Sequence, residues 1–196
     1  MKSKDWLNRH KNDFFVNKAL KDGYFSRAAY KLLEIDKKYK FIKKSKNILE
    51  IGAAPGSWSQ VVLKNNNNVN LHAFDLLDMK FSHSKIKFYK ENFLTFDCKK
   101  LPLNFDLVLS DIAPNTIGHQ STDHLRITSM ILDIISILHK VSLPSSSFVF
   151  KVWKGSEELD IIKLLKTMYE KVSYFKPKSS RSESSEIFIV AEKFML

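Results

Sequence analysis

Two sets of residues in this 196-residue chain have types and spacings that could do chemistry. The first is Leu49-Glu50-Ile51-Gly52-Ala53-Ala54-Pro55-Gly56-Ser57-Trp58, followed by Asp75. It reads as a strand end, a glycine–proline loop and a helix start. In an open α/β sheet, ligands sit beyond the carboxyl ends of the strands. Gly52 and Gly56 would let backbone approach such a ligand with no Cβ in the way. The dinucleotide fingerprint needs a glycine where Ala54 stands, and Pro55 suits a pyrophosphate poorly. An adenosyl sulfonium cofactor has no pyrophosphate, so a G-x-x-x-G loop is adequate. Asp75 falls at the end of the next strand, where a carboxylate can accept both ribose hydroxyls of an adenosine. This segment points to S-adenosylmethionine.

The second set is Lys151, inside Phe148-Val149-Phe150-Lys151-Val152-Trp153, and Asp111, inside Leu109-Ser110-Asp111-Ile112-Ala113-Pro114-Asn115. A charge in a strand that otherwise reads as buried requires a partner. Asp111, at the end of the neighbouring strand, is the natural one. The Asp111 segment lacks the Asp/Asn-Pro-Pro-aromatic sequence of enzymes that methylate base amines. Methylation of pyrimidine C5 uses a cysteine nucleophile, and the only cysteine, Cys98, follows Asp97 in another segment. Transfer to a hydroxyl needs instead a group that removes or orients a proton.

The elements that must position these residues follow from periodicity. Residues 5–20 and 26–38 predict two helices, with Ser26 as N-cap of the second and Lys21-Asp22-Gly23 as the turn between them. From residue 47 the pattern changes to α/β alternation. Strands are predicted at 47–51, 69–75, 85–89, 105–110, 147–153, 172–176 and 186–192. Helices are predicted at 57–64, 121–141 and 157–169, with Asn65–Asn68 as a polar surface loop. Strands alternating with helices imply a mostly parallel sheet covered on both faces. The last two strands, joined by a Pro/Lys/Ser/Arg loop, should pair antiparallel. The expectation is one domain over 1–196, with a basic helical segment at 1–46 and a Rossmann-like core at 47–196.

Composition narrows the partners. The chain carries 32 Lys/Arg against 21 Asp/Glu, a net +11, and residues 1–50 hold 14 against 6. A basic face implies a polyanion, most simply nucleic acid, although a Lys- and Asn-rich coding bias gives the same count. No apolar run reaches the roughly 20 residues of a membrane span, and MKSKDWLNRH has no apolar core of a secretory signal. One cysteine leaves no internal disulfide framework. His119 and His124 have no Cys/His/acid cluster beside them, so they read as surface histidines and no metal is expected.

Taken together, the segments resemble the FtsJ-type family of ribosomal RNA 2′-O-ribose methyltransferases. They are Ser26-Arg27-Ala28-Ala29-Tyr30-Lys31-Leu32, Gly52 to Gln60, Asp75-Leu76-Leu77, Ser110 to Asn115, Phe150-Lys151-Val152, Lys176-Pro177-Lys178-Ser179-Ser180-Arg181, and Ser185-Glu186. They occur in the family's order over nearly the whole chain. The resemblance implies a Rossmann-like class I methyltransferase fold with a seven-stranded sheet and an antiparallel last strand. It implies a Lys–Asp–Lys–Glu tetrad at Lys31, Asp111, Lys151 and Glu186. Lysine is normally protonated near pH 10.4; a second cation, Lys31, and partial burial would both favour the neutral amine of Lys151. Asp111 would orient it, and Glu186 could hold Lys31 or the target ribose.

S-adenosyl-L-methionine contacts carry over onto Gly52, Ala53, Pro55, Gly56, Ser57, Trp58, Asp75, Leu76 and Asp111. Where relatives commonly place an aspartate near the adenine amine, this chain has Asn92, whose side-chain carbonyl could accept the same bond. The loop also has Gly56-Ser57 where relatives often have Gly-Gly. The implied substrate is RNA: a uridine of large-subunit ribosomal RNA, within the particle or free. Lys154, the Lys176–Arg181 segment and the basic first 50 residues are expected phosphate contacts. The alternatives are a transfer RNA 2′-O-methyltransferase of the same family and a non-catalytic RNA-binding ribosome-assembly factor. A nicotinamide-dependent oxidoreductase fits neither the loop nor the charge. The ending 181–187 looks most like the mitochondrial branch, which favours an organelle over nucleus or cytoplasm; a monomer without membrane attachment is expected.

Overall fold

The computed structural model describes residues 13–101, 104–113, 120–155 and 158–195. Seven strands form one sheet in the order β3-β2-β1-β4-β5-β7-β6. They are β1 (Asn47–Ile51), β2 (Asn70–Phe74), β3 (Ile86–Tyr89), β4 (Phe105–Ser110), β5 (Ser142–Trp153), β6 (Tyr169–Phe175) and β7 (Glu186–Phe194). The α-helices among the described residues are α1 (Phe14–Lys21), α2 (Ala28–Tyr39), α3 (Ser57–Asn65), α4 (Gln120–Leu138) and α5 (Glu158–Lys166). The first five strands pair parallel, and β7 runs antiparallel to both β5 and β6. The doubly wound sheet expected from the alternation is therefore present.

Side chains alternate across a strand, and the central strands are apolar on both faces. One face of the sheet (Ile48, Leu71, Leu107, Leu109, Val149, Phe188, Val190) packs against Ala29, Leu32 and Ile35 of α2 and Trp58, Val61 and Val62 of α3. The other face (Leu49, Ile51, Phe74, Val108, Phe148, Phe150, Ile189) packs against Ile127, Ile131, Ile134, Ile135 and Leu138 of α4 and Ile161 and Leu165 of α5. Each such side chain contributes about 1.5–3 kcal/mol by leaving water. β1 lies between β2 and β4, so the chain winds one way through β2 and β3 and the other way from β4. That reversal is the switch point at which open α/β sheets place ligands.

Several expected boundaries move. Strand β5 starts at Ser142 rather than 147, with an irregularity in its pairing with β4 between Ser142 and Ser147, opposite Phe105 and Leu107. Tyr169 leaves the expected helix and begins β6, because its fully buried ring pairs opposite Phe194 on β7. Helix α4 stops at Leu138, where Lys140 and Val141 amides turn back onto Ile137 and Leu138 carbonyls. Of the helix expected at 5–20, Phe14–Lys21 is present, capped by Asp13 Oδ1 at 3.0 Å from the Phe15 amide; its earlier part lies outside the described residues. Helix α2 starts at Ala28 with Arg27, not Ser26, in the N-cap position; Ser26, one residue earlier, still accepts the Ala28 amide on its Oγ at 3.2 Å.

Candidate active site

A cavity of about 510 Å³ opens at the switch point, lined by Gly52, Ala54, Asp75, Leu76, Leu77, Glu91, Asn92, Phe93, Asp111, Ile112, Ala113, Met130 and Ile134, among others. Its size is ordinary for a cofactor site. The loop after β1 forms one wall. Gly52 has φ +82, and a Cβ there would lie 2.9 Å from the backbone of Ile112. Gly56 has φ +113, and its Cβ would lie 2.6 Å from Cβ of Phe81. The space that these glycines leave open is taken by protein, not reserved for ligand: they let the loops after β2 and β4 close down around the cavity.

Asp75 braces the wall. Its Oδ2 accepts the Ala54 amide at 2.8 Å and its Oδ1 accepts the Leu77 amide at 2.9 Å. Each carboxylate oxygen retains a lone pair for a further donor. Leu76 and Leu77 stay 66% and 69% exposed at the rim, an apolar cover for a flat ring. Asn92 lines the cavity, but its Oδ1 already accepts the Leu94 amide at 3.0 Å.

Five of the residues expected to hold the cofactor line this cavity: Gly52, Asp75, Leu76, Asn92 and Asp111. Ala53, Pro55, Gly56, Ser57 and Trp58 are not among its lining residues. The Trp58 ring is buried, donates its indole N–H to Ala28 O at 2.8 Å and packs 5.8 Å from Phe188. Ser57 Oγ hydrogen-bonds Ser26 Oγ at 2.8 Å. These side chains hold α2 against the loop. What Ser57 and Trp58 can offer a ligand is the unpaired first-turn amides of α3.

Two ion pairs are drawn from four elements: Asp111 of the first lines the cavity, and both residues of the second line a separate cleft of about 340 Å³. Lys151 on β5 donates to Asp111 O at 2.7 Å, and its Nζ is 2.8 Å from Asp111 Oδ1. Lys31 on α2 donates to Glu186 Oε2 at 2.7 Å. The side chains are 9–17% exposed. Asp111 follows β4, whose Ser110 pairs with Phe150, so the register sets it next to Lys151. β7 runs antiparallel with Lys151 opposite Phe188, so Glu186, two residues before Phe188, lies diagonally across on the same face. Lys31 reaches that face from the helix above it. The four residues marked from the sequence are thus brought together, as two pairs.

The electrostatics favour a cation in the cavity. Burial would raise the Asp111 carboxyl, but Lys151 and then Lys31 outweigh it and hold the group below its usual range, as the carboxylate. Oδ1 of Asp111 is buried and is met by the Lys151 ammonium at 2.8 Å, while the residue also lines the cavity. The sulfonium and ammonium cations of S-adenosylmethionine suit this carboxylate, and its adenosine suits Asp75 and the apolar rim, so the residues present fit that cofactor.

One buried titratable residue under the cofactor loop was not marked in the sequence. Glu50, the only charged residue in β1, is 1% exposed and accepts a short hydrogen bond from Ser59 Oγ on α3. Burial pushes its carboxyl up to about 8, Ser59 opposes this, and the charges of Asp111 and Asp75 add to it. The signal was the same as for Lys151, a charge inside an apolar strand.

Other expectations need correction. His124 is not a surface histidine: it is 8% exposed, its ring 5.4 Å from Trp153. His119 lies outside the described residues. Among the described residues no cluster of His, Cys, Asp and Glu could hold a metal ion, and no helix is long and apolar enough to cross a membrane. Lys176 is not a free phosphate contact, since its Nζ donates to the Ser184 and Glu186 carbonyls.

The fold and this site together define a class I, S-adenosylmethionine-dependent methyltransferase. Sequence comparison specifies the family: the profile of the FtsJ-like methyltransferases matches residues 24–194. Ribosomal RNA large subunit methyltransferase E of Rickettsia africae is 40% identical over 200 residues, spanning 96% of this chain and 88% of that protein. A Plasmodium falciparum structure described as a ribosomal RNA methyltransferase is similar with a TM-score of 0.76 at 32% identity, over 87% of this chain and 98% of the other. Human Methyltransferase-like protein 13, solved with S-adenosylhomocysteine, shares the fold alone, with a TM-score of 0.56 at 13% identity over 78% of this chain and 74% of that one. The chain belongs to the FtsJ-like methyltransferase family.

Proposed function

We propose that this protein methylates the 2′-oxygen of a ribose in large-subunit ribosomal RNA, that of a uridine, with Lys31, Asp111, Lys151 and Glu186 as the residues that handle the acceptor. The observation that carries the reading is the pairing of Lys151 with Asp111, which lines the cofactor cavity, and of Lys31 with Glu186, which line a second cleft of about 340 Å³. The names of the Rickettsia and Plasmodium relatives support ribosomal RNA as substrate, and the net charge of +11 suits a polyanion.

Bound S-adenosylmethionine supplies an activated methyl group, so the protein's work is positioning and proton handling. Lys151 has three nitrogen positions, of which Asp111 takes two; the third faces an incoming hydroxyl and takes or steers its proton as the oxygen attacks. Asp111 fixes the lysine through both its carbonyl and its carboxylate. Glu186 holds Lys31, whose charge also helps to keep Asp111 ionised. The exposed Lys154 and the basic amino-terminal segment would track the phosphates. An organellar location is proposed with this reading, on the resemblance of residues 181–187 to the mitochondrial branch.

Lys151→Ala is expected to reduce methyl transfer to ribosomal RNA by roughly 10²–10⁴-fold while cofactor affinity stays nearly intact. Transfer of labelled methyl, followed by nucleoside analysis, reads both amount and position. A fully active variant, or methyl recovered on a base, would overturn the assignment. Mapping 2′-O-methyl loss on cytosolic, mitochondrial and plastid ribosomal RNA after depletion tests the compartment.

A further inference from the structure

Glu186 has a second partner besides Lys31. Its Oε1 accepts from Ser180 Oγ at 2.8 Å, and its amide donates to Ser184 Oγ at 3.1 Å. Both serines belong to the connection between β6 and β7, whose length alone would leave its conformation open. Helix α2 closes that question. Glu34 Oε2 accepts the Lys178 amide at 2.6 Å, and Oε1 accepts the Ser179 amide at 2.9 Å. Arg27 donates to the Ser179 carbonyl, and Asp13 holds Arg27 from the other side. Ser179 is fully buried under this contact.

The spacing explains the arrangement. Arg27, Lys31 and Glu34 stand at i, i+4 and i+7, one stripe along α2. The helix that presents Lys31 to Glu186 therefore also grips the turn that presents Ser180 to Glu186. A carboxylate accepting two adjacent backbone amides fixes both the position and the orientation of that turn. Lys176 secures the opposite side of the connection through the Ser184 and Glu186 carbonyls.

We propose that Glu34 is a positioning residue for the reaction: by docking the 177–180 turn on α2 it sets Ser180 against Glu186, and so fixes the Lys31–Glu186 pair. The inference rests on the ribose-methylation reading for its effect on rate, and on the geometry alone for its effect on the loop. Glu34 itself touches no acceptor; it acts through Ser180 and Glu186.

Two measurements test it. In single-turnover transfer to ribosomal RNA, Glu34→Ala should slow the step by about 10- to 100-fold, the scale of a small misplacement of reacting groups, with the cofactor Kd unchanged. Ser180→Ala should slow it by about 10-fold, and the double variant should be no slower than Glu34→Ala, because both act through one path. Glu34→Gln, which keeps one acceptor oxygen, should recover part of the rate. The second measurement needs no RNA. Trypsin cleavage after Lys178 and Arg181, read by mass spectrometry, should be faster in Glu34→Ala than in the wild type and unchanged in Ser180→Ala. If Glu34→Ala fails to fold, Glu34→Gln should show the same order at smaller amplitude. Additive rate losses, a raised cofactor Kd that accounts for the slower transfer, or a loop no more cleavable in the Glu34 variants would each overturn the proposal. A wild-type protein inactive on ribosomal RNA would instead refute the reaction, leaving the cleavage result to decide the docking.

Discussion

Glu50→Gln should make the protein more stable at alkaline pH and flatten its pH dependence. Burial lifts the Glu50 carboxyl from an ordinary 4.5 to about 8. Between those values the folded protein keeps a proton that the unfolded chain has released, so stability falls as pH rises, by about 1.4 kcal/mol per pH unit. From pH 5.5 to 8 the loss is roughly 3 kcal/mol, a large share of the ~5–15 kcal/mol that holds a domain together. Glutamine fills the same volume, can still meet Ser59 Oγ and carries no titrating proton. Asp111 titrates with the opposite sign: its carboxyl is held below 3.8 by Lys151 and Lys31, which outweigh its burial, so its contribution is lost only as pH falls through that lower range. His72, lowered by burial and then by Lys87, gains stability as pH rises through 6.5, equally in both proteins. Urea unfolding of wild type and variant across pH 5.5–8 isolates Glu50: the stability difference in favour of Gln should grow by about 3 kcal/mol. Parallel curves would refute the reasoning, because they would mean that Glu50 is already ionised, or solvated, in the folded state.

Gly52→Ala should cost about 2 kcal/mol or more, since it combines a left-handed φ of +82 with a Cβ 2.9 Å from Ile112 backbone. Gly23→Ala, with φ +75 but nothing within 4 Å, should cost less; equal melting temperatures for the two variants would contradict this. Asp75→Ala should raise the cofactor Kd by about 10- to 100-fold, because it removes the acceptor for a ribose and unbraces Ala54 and Leu77. Calorimetric titration checks it, and an unchanged Kd would move the adenosine elsewhere.

The strand, loop and helix that begin at 47, the acidic strand end at Asp75 and the succession of strands and helices along the chain were legible in the sequence. Each rests on local physics: apolar periodicity, the backbone freedom of glycine and the short reach of a turn. The tetrad was legible through the resemblance, and Lys151 with Asp111 through burial as well. Local signals failed where two patterns overlap. Tyr169 continues an apolar helical stripe as well as it begins a strand, and only its place opposite Phe194 decides for β6. Trp58 sits in the loop motif yet turns its ring away from the cavity into the packing between α2 and the sheet.

By itself, then, the sequence determined which chemistry is available: the types of the four paired residues, the shape of the cofactor loop and the basic charge. Tertiary structure decided how that chemistry is held. Glu34 meets Ser179 across 145 residues of chain, and Lys31 meets Glu186 across 155. No periodicity encodes such contacts, because they come from the antiparallel insertion of β7 and the packing of α2 over it. The same holds for the charge state of Glu50, which depends on the water that β2, β4 and α3 exclude around it. Composition names a group; burial sets whether it carries a proton.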